Sequence, residues 1–190
     1  MCTFRNIFRK LVYHLAINFH KNKRTAFTRR CIAEAIIELM QKEHFSDIRI
    51  SAVTKRAGVS RKTFYNYFDS LYAALTNYLQ DIIAEYISQI NVDSLRGHLL
   101  EEEHLLFSLK FFDKYALFFK TLSNQNMHCL MLNAINQFMV ELFSHNVNLS
   151  VYQLYCYSGG LLNTFLRWEE NDKSEPPEEI ARIIYELYNN

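Results

Sequence analysis

The chain has 190 residues and 22.6 kDa, enough for one large domain or a small domain joined to a larger one. Hydrophobic residues make up 49% and aromatics 15%, which excludes a disordered chain, while only 4 Gly and 2 Pro argue against a turn-rich β-sandwich or barrel. A net charge of +1 conceals a split, because residues 1–68 hold 14 Lys+Arg against 4 Asp+Glu and the remainder is acidic, so an anionic partner is expected for the first part only.

Residues 1–24 carry no acid, and Phe4, Ile7, Phe8, Leu11, Val12 and Leu15 recur at helical spacing. They are read as a basic N-terminal extension; a basic arm that touches DNA or lipid is the functional alternative. From Thr25 to Glu43 the sequence predicts a helix with an apolar stripe of Ile32, Ala35, Ile36, Leu39 and Met40. A short helix follows, with Ser51 as its expected N-cap and Gly58 at its end, where a left-handed C-cap meets no Cβ strain. Ser60 is expected to cap a second short helix, "RKTFYNYF". Two short helices hinged at Gly58-Val59 behind a longer one make a helix-turn-helix pattern.

Asp69 or Ser70 opens the next predicted helix, from Leu71 to about Ile90. Four further helical stretches lead to "PPEEIARIIYELYNN", where proline suits the first turn because its missing N–H costs little there. The fold class expected is all-α, with about nine helices and no strand. The domains are placed at 1–24, 25–70 (helix-turn-helix) and 71–190 (a helical body).

The stretch "AGVSRKTFYNYF" carries the chemistry. A helix that reads the major groove needs donors and acceptors on an exposed N-terminal face, and Ser60, Arg61, Lys62 and Thr63 supply them. Arg61 or Lys62 has the reach for guanine O6/N7, Tyr65 and Tyr67 carry hydroxyls suited to phosphates, and Asn66 suits either. Val59, Phe64 and Phe68 are expected to pack beneath, on Val53 and Ala57.

The run "FTRRCIAEAIIELMQKEHFSDIRISAVTKRAGVSRKTFYNYFDSLYAAL" resembles the DNA-binding domain of TetR-family transcriptional regulators over about 50 residues, through T-R-R-x-I, A-G-V-S and T-F-Y-x-Y-F. "SGGLLNTFLRWEENDKSEPPEEIARII" looks like the last two helices of one branch of that family. The resemblance implies a homodimer on a palindromic operator in double-stranded DNA, usually a cytoplasmic repressor released by a small-molecule effector. It also implies phosphate contacts from Thr28, Arg29 and Arg49. One departure stands out: Leu71 occupies a position where the family commonly has Lys.

In the body, the family points to an effector pocket among aromatic helices, for which Phe107, Phe111, Phe118, Phe138 and Tyr155 are the candidates; the simpler reading of such a stripe is core. Dimerisation is expected on the last two helices, through Gly159, Leu162, Phe165, Ile180 and Ile184, because two glycines inside an apolar helix suit close approach of another backbone. His98, Glu101, Glu102 and His104 lie close in sequence, and His128-Cys129, His145 and Cys156 lie in later helices, yet no H-x-x-x-H or C-x-x-C spacing supports a metal. No cofactor is expected. The four cysteines, Cys2, Cys31, Cys129 and Cys156, read as reduced thiols. No apolar run is long enough to span a membrane. No phosphate loop, metal motif or nucleophile arrangement suggests an enzyme. The readings from other classes are a helical adaptor that uses its basic N-terminus on a membrane or protein, and a metal-responsive regulator.

Overall fold

The computed structural model describes residues 23–90, 99–143 and 149–189. The basic extension, His98 and His145 therefore fall outside the described residues, apart from the extension's last two positions. Among those described, nine α-helices and one 3₁₀ turn occur, and no strand. The helices are α1 (Lys23–Met40), α2 (Ile50–Ala57), α3 (Arg61–Tyr67), α4 (Leu71–Gln89), α5 (Glu102–Asp113), α6 (Ala116–Asn124), α7 (His128–Phe143), α8 (Val151–Glu170) and α9 (Pro177–Asn189). The chain divides into two compact units at Ile90, so α4 packs within the first.

The first unit is built on α1, whose Ile32, Ala33, Ala35, Ile36, Ile37 and Met40 are buried. Helices α2 and α4 both pack on α1. From α4 come Ala74, Leu75 and Leu79, each fully buried, with Ile82, Ile83, Tyr86 and Ile87. The spacing of the burial on both helices is the 3.6-residue period of an amphipathic helix on a core. At the start of α4 the cap is Ser70, whose Oγ accepts from Ala73 N at 3.0 Å.

One expected cap is corrected. Helix α2 begins at Ile50, and its N-cap is Arg49, which is extended (φ −99°, ψ 141°) and makes no side-chain cap bond. The Arg49 carbonyl already accepts from Ala52 N at 2.9 Å and Val53 N at 3.2 Å, so Ser51 lies inside the first turn.

In the second unit, α9 packs on α5, and α8 contacts α6, α7 and α9. Its core is a chain of aromatic rings set edge to face. Phe111–Phe112 (5.3 Å), Phe112–Phe119 (5.7 Å), Phe118–Phe119 (5.4 Å) and Phe119–Phe165 (5.5 Å) join α5, α6 and α8. The α8–α9 connection is pinned at several points. Trp168 Nε1 donates to the Glu175 carbonyl at 2.8 Å. Asp172 and Lys173 take left-handed φ of 50° and 54°, and Lys173 Nζ meets Asp113 and the buried Glu169 carboxylate. Burial, with Asp113 beside it, raises the Glu169 pKa against the opposing pull of Lys173.

Gly160 has an intrachain reason. A Cβ there would stand 2.8 Å from the Tyr188 hydroxyl, which donates to the Cys156 carbonyl at 3.1 Å. At Gly159 a Cβ would meet nothing within 4 Å.

His104, at the start of α5, is buried rather than solvated with its acidic neighbours Glu102 and Glu103. Burial lowers its pKa from 6.5 to about 4. A depressed folded-state value means that its neutral form supports the fold above pH 6.5 and that this support is lost as pH falls toward 4. Each pH unit in that window is expected to cost up to about 1.4 kcal/mol of stability. Urea melts at stepped pH check this: the slope between those values should flatten in His104→Leu relative to wild type.

Candidate nucleic-acid interface

The hinge has the geometry its sequence calls for. Gly58 caps α2 in the left-handed region (φ 66°, ψ 31°), and its N–H and that of Val59 turn back to the Lys55 and Thr54 carbonyls. Ser60, extended, then caps α3 by accepting from Thr63 N at 3.0 Å, and its Oγ lies 2.8 Å from Thr63 Oγ1. Both hydroxyls are thus engaged in starting the helix. Phe64 is fully buried and Phe68 nearly so, their rings 6.0 Å apart, and Val53 of α2 is fully buried as well. Val59 and Ala57 are half-buried at the rim.

The opposite face of α3 is open. Arg61, Lys62, Tyr65, Asn66 and Tyr67 are all exposed, and Tyr65 keeps 50% of its surface. Arg49 is exposed as well, at the N-cap of α2.

Three arginines of this unit have carboxylate partners. Arg30 pairs with Glu34 at 2.7 Å, Arg56 with Glu38, and Arg29 with Asp81 at 3.7 Å. The Glu38 hydrogen bond raises the Arg56 pKa. Arg61 and Lys62 make no ion pair among the described residues. They also stand in the first turn of a helix with no acid there, where the helix dipole disfavours positive charge. Two unneutralised cations set against a dipole, beside exposed phenols and an amide, form a surface that suits a polyanion with hydrogen-bonding edges.

Two residues for which the resemblance implies a phosphate role have partners within the chain. The Thr28 hydroxyl donates to the Arg24 carbonyl at 2.9 Å, within its own helix. Arg29 lies against Asp81, deep in α4 and about 15 Å along its axis from the end next to α3. Spacing alone cannot show a partner fifty residues away.

In the second unit, Phe107 and Phe111 lie 6.3 Å apart, Phe111 and Phe118 belong to the core, Phe138 pairs with Phe143 at 6.2 Å, and Tyr155 is 51% exposed. Leu162, Phe165, Ile180 and Ile184 are buried within the chain itself, which leaves them little surface to offer a partner. The apolar residues that remain exposed on α8 and α9 are Val151, Tyr152, Tyr155, Ile183 and Leu187. Among the described residues no group of His, Cys, Asp and Glu is gathered to hold a metal, Cys31, Cys129 and Cys156 are free, and no helix is long and apolar enough to cross a membrane.

Comparison with known proteins agrees with this geometry. Residues 32–72 match the model of bacterial regulatory proteins of the tetR family, and residues 101–190 match the model of a TetR-type transcriptional regulator C-terminal region. Among curated proteins, the HTH-type dhaKLM operon transcriptional activator DhaS of Lactococcus lactis is 29% identical over 102 residues, 54% of this chain. The match covers 52% of that relative, about half its length. Among solved structures, Lin0861 from Listeria innocua superposes with a TM-score of 0.70 at 16% identity, covering 88% of this chain and 92% of that one. The dihydroxyacetone kinase operon activator DhaS gives 0.54 at 20% identity, over 84% and 93%. At such identities the structures speak for the fold alone. With two family models spanning over two thirds of its length, the chain belongs to the TetR family of DNA-binding transcriptional regulators.

Gly58 offers a clean test of the hinge. A Cβ there meets no atom within 4 Å, so Gly58→Ala carries only the cost of a left-handed alanine, about 1–2 kcal/mol. Thermal melting should show that loss, and Gly58→Asn, which tolerates this region better, should recover part of it.

Proposed function

We propose that the protein binds a palindromic operator as a homodimer and controls transcription from it in the cytoplasm, in response to a small-molecule effector of the second unit. The observation that carries the DNA-reading part is the pair Arg61 and Lys62, exposed and unneutralised at the start of α3. On this reading Arg61 and Lys62 contact base edges, with Asn66 beside them. Tyr65, Tyr67 and Arg49 hold phosphates, and Ser60 and Thr63 contribute from the capped first turn. Two copies place their α3 helices about 34–36 Å apart, one turn of DNA. An effector that favours another spacing lowers operator affinity by its differential binding energy, typically 1–3 kcal/mol.

The sign of regulation follows from where the operator lies. The resemblance favours repression, whereas the relative DhaS is an activator by name. One DNA-bound dimer serves either outcome. On this reading the dimer forms through α8 and α9, by way of the exposed Tyr152, Tyr155, Ile183 and Leu187, with Gly159 open on α8. Leu162, Phe165, Ile180 and Ile184, expected there from the sequence, are buried within the chain.

Selection of bound duplexes from a random library is expected to return a two-fold sequence. Arg61→Ala should weaken binding to it by about 10- to 100-fold and relax preference at one position per half-site. Recovery of no preferred sequence would sink the operator reading. A second measurement concerns assembly. Tyr152→Asp with Leu187→Asp should convert a dimer to a monomer in sedimentation while helical content holds. A double variant that sediments like wild type would remove α8 and α9 from the interface.

A further inference from the structure

The half-buried pair between α1 and α4 has no part in the proposed contacts, and its chemistry is incomplete. Arg29 and Asp81 keep only 20% and 25% of their side-chain surface. Their nearest atoms, Nη2 and Oδ1, are 3.7 Å apart, beyond hydrogen-bond range, and Arg29 Nε is buried without a hydrogen-bond partner. Burial raises the Asp81 pKa against the pull of Arg29. The half-buried Tyr78 of α4 feels the charges of Asp81, Arg30, Glu34 and Glu85, and the same two helices bury Ile32, Ile36, Leu75 and Leu79 fully. An ion pair in such a place costs desolvation that a well-packed apolar pair avoids. Stability therefore gives no reason for it.

Register does. Two helices that meet through apolar ridges have several acceptable offsets, and an opposite-charge pair set between them favours the offset that brings its members together. The offset of α4 on α1 matters because α4 starts directly after the reading helix: Phe68, the C-cap of α3 whose ring lies against that of Phe64, is followed only by Asp69 and Ser70. A slip of α4 by part of a turn drags Phe68 and tilts the face that bears Arg61 and Lys62.

We propose that Arg29 and Asp81 are positioning residues for DNA recognition, fixing α4 against α1 so that α3 is presented at one angle. This rests on the DNA-reading role of α3 given above. It also differs from a phosphate contact by Arg29 in the sign of one measurement. Asp81 is an anion, so if charge alone mattered, Asp81→Asn would tighten binding to any DNA.

The test uses the full-length protein, a selected duplex and an unrelated duplex of equal length, titrated over a range of salt. Asp81→Asn is expected to weaken binding to the selected duplex at least 10-fold, to change binding to the unrelated one less than 3-fold, and to leave the slope of log affinity against log salt unchanged. Because that variant leaves a half-buried guanidinium without a counter-charge, Arg29→Met with Asp81→Leu is run beside it. The double variant should melt at or above the wild-type temperature and still lose selectivity. Wild-type selectivity in the double variant would overturn the proposal. So would an equal loss on both duplexes in the double variant with a salt slope lower by about 0.9, the mark of a lost phosphate contact by Arg29. If the wild-type protein itself shows no selectivity, it is the reading of α3 that fails, and the same titration reveals it.

Discussion

A helix of seven residues does not hold together in water, because nucleation outweighs the few bonds that follow. The reading helix α3 is of that length, and what holds it is the burial of Phe64, completed by Phe68 at its C-cap. Everything that faces outward from α3 depends on those two rings. With Phe64 anchored in the core, the first turn can carry Arg61 and Lys62 against the helix dipole, an arrangement that an isolated helix would resist. The reading head is thus a tertiary object: α1 supports α2, α2 supports α3, and α4 closes the other side of α1.

Neutralisation of charge follows the same division of labour. Arg30 and Arg56 are matched by Glu34 and Glu38, on exposed surfaces where such pairs contribute little to stability but do cancel charge. Among the described residues, the cations left without a counter-charge include Arg61 and Lys62 at the start of α3 and the exposed Arg49 at the N-cap of α2. The second unit shows the opposite emphasis: its rings stack on one another through α5, α6 and α8, and its surface is acidic at the start of α5 and of α9.

What was legible in the sequence was local. The left-handed Gly58, the caps Ser60 and Ser70, Pro177 in the first turn of α9 and the stripes of α1 and α4 each depend on residues within a turn or two, and each is found as the pattern implies. Ser51 was misplaced because a side-chain cap was assumed, whereas the backbone of Arg49 had already taken the position. The partner of Arg29 and the burial of His104 were not legible, since both are set by helices brought together from distant parts of the chain. The α8 and α9 faces were ambiguous for another reason. Both helices are apolar on more than one side, and periodicity marks apolar positions without saying which of them meets the same chain. Burial resolves this: Leu162, Phe165, Ile180 and Ile184 turn inward, and Tyr152, Ile183 and Leu187 remain outside.

Three local rules of protein construction are broken in this chain, and they break in different places. Cations stand at the start of α3 without an acid, a half-buried ion pair lies between α1 and α4 with Arg29 Nε unpartnered, and large apolar side chains stay exposed along α8 and α9. Sequences that specify one structure keep local and global preferences consistent, and departures concentrate where function sets the terms. On the reading proposed above, a polyanion relieves the first departure and a second copy of the chain the third. The middle one lies between α1 and α4, away from the exposed face of α3, and neither partner relieves it. Its compensation on that reading is geometric, in the angle at which α3 is presented.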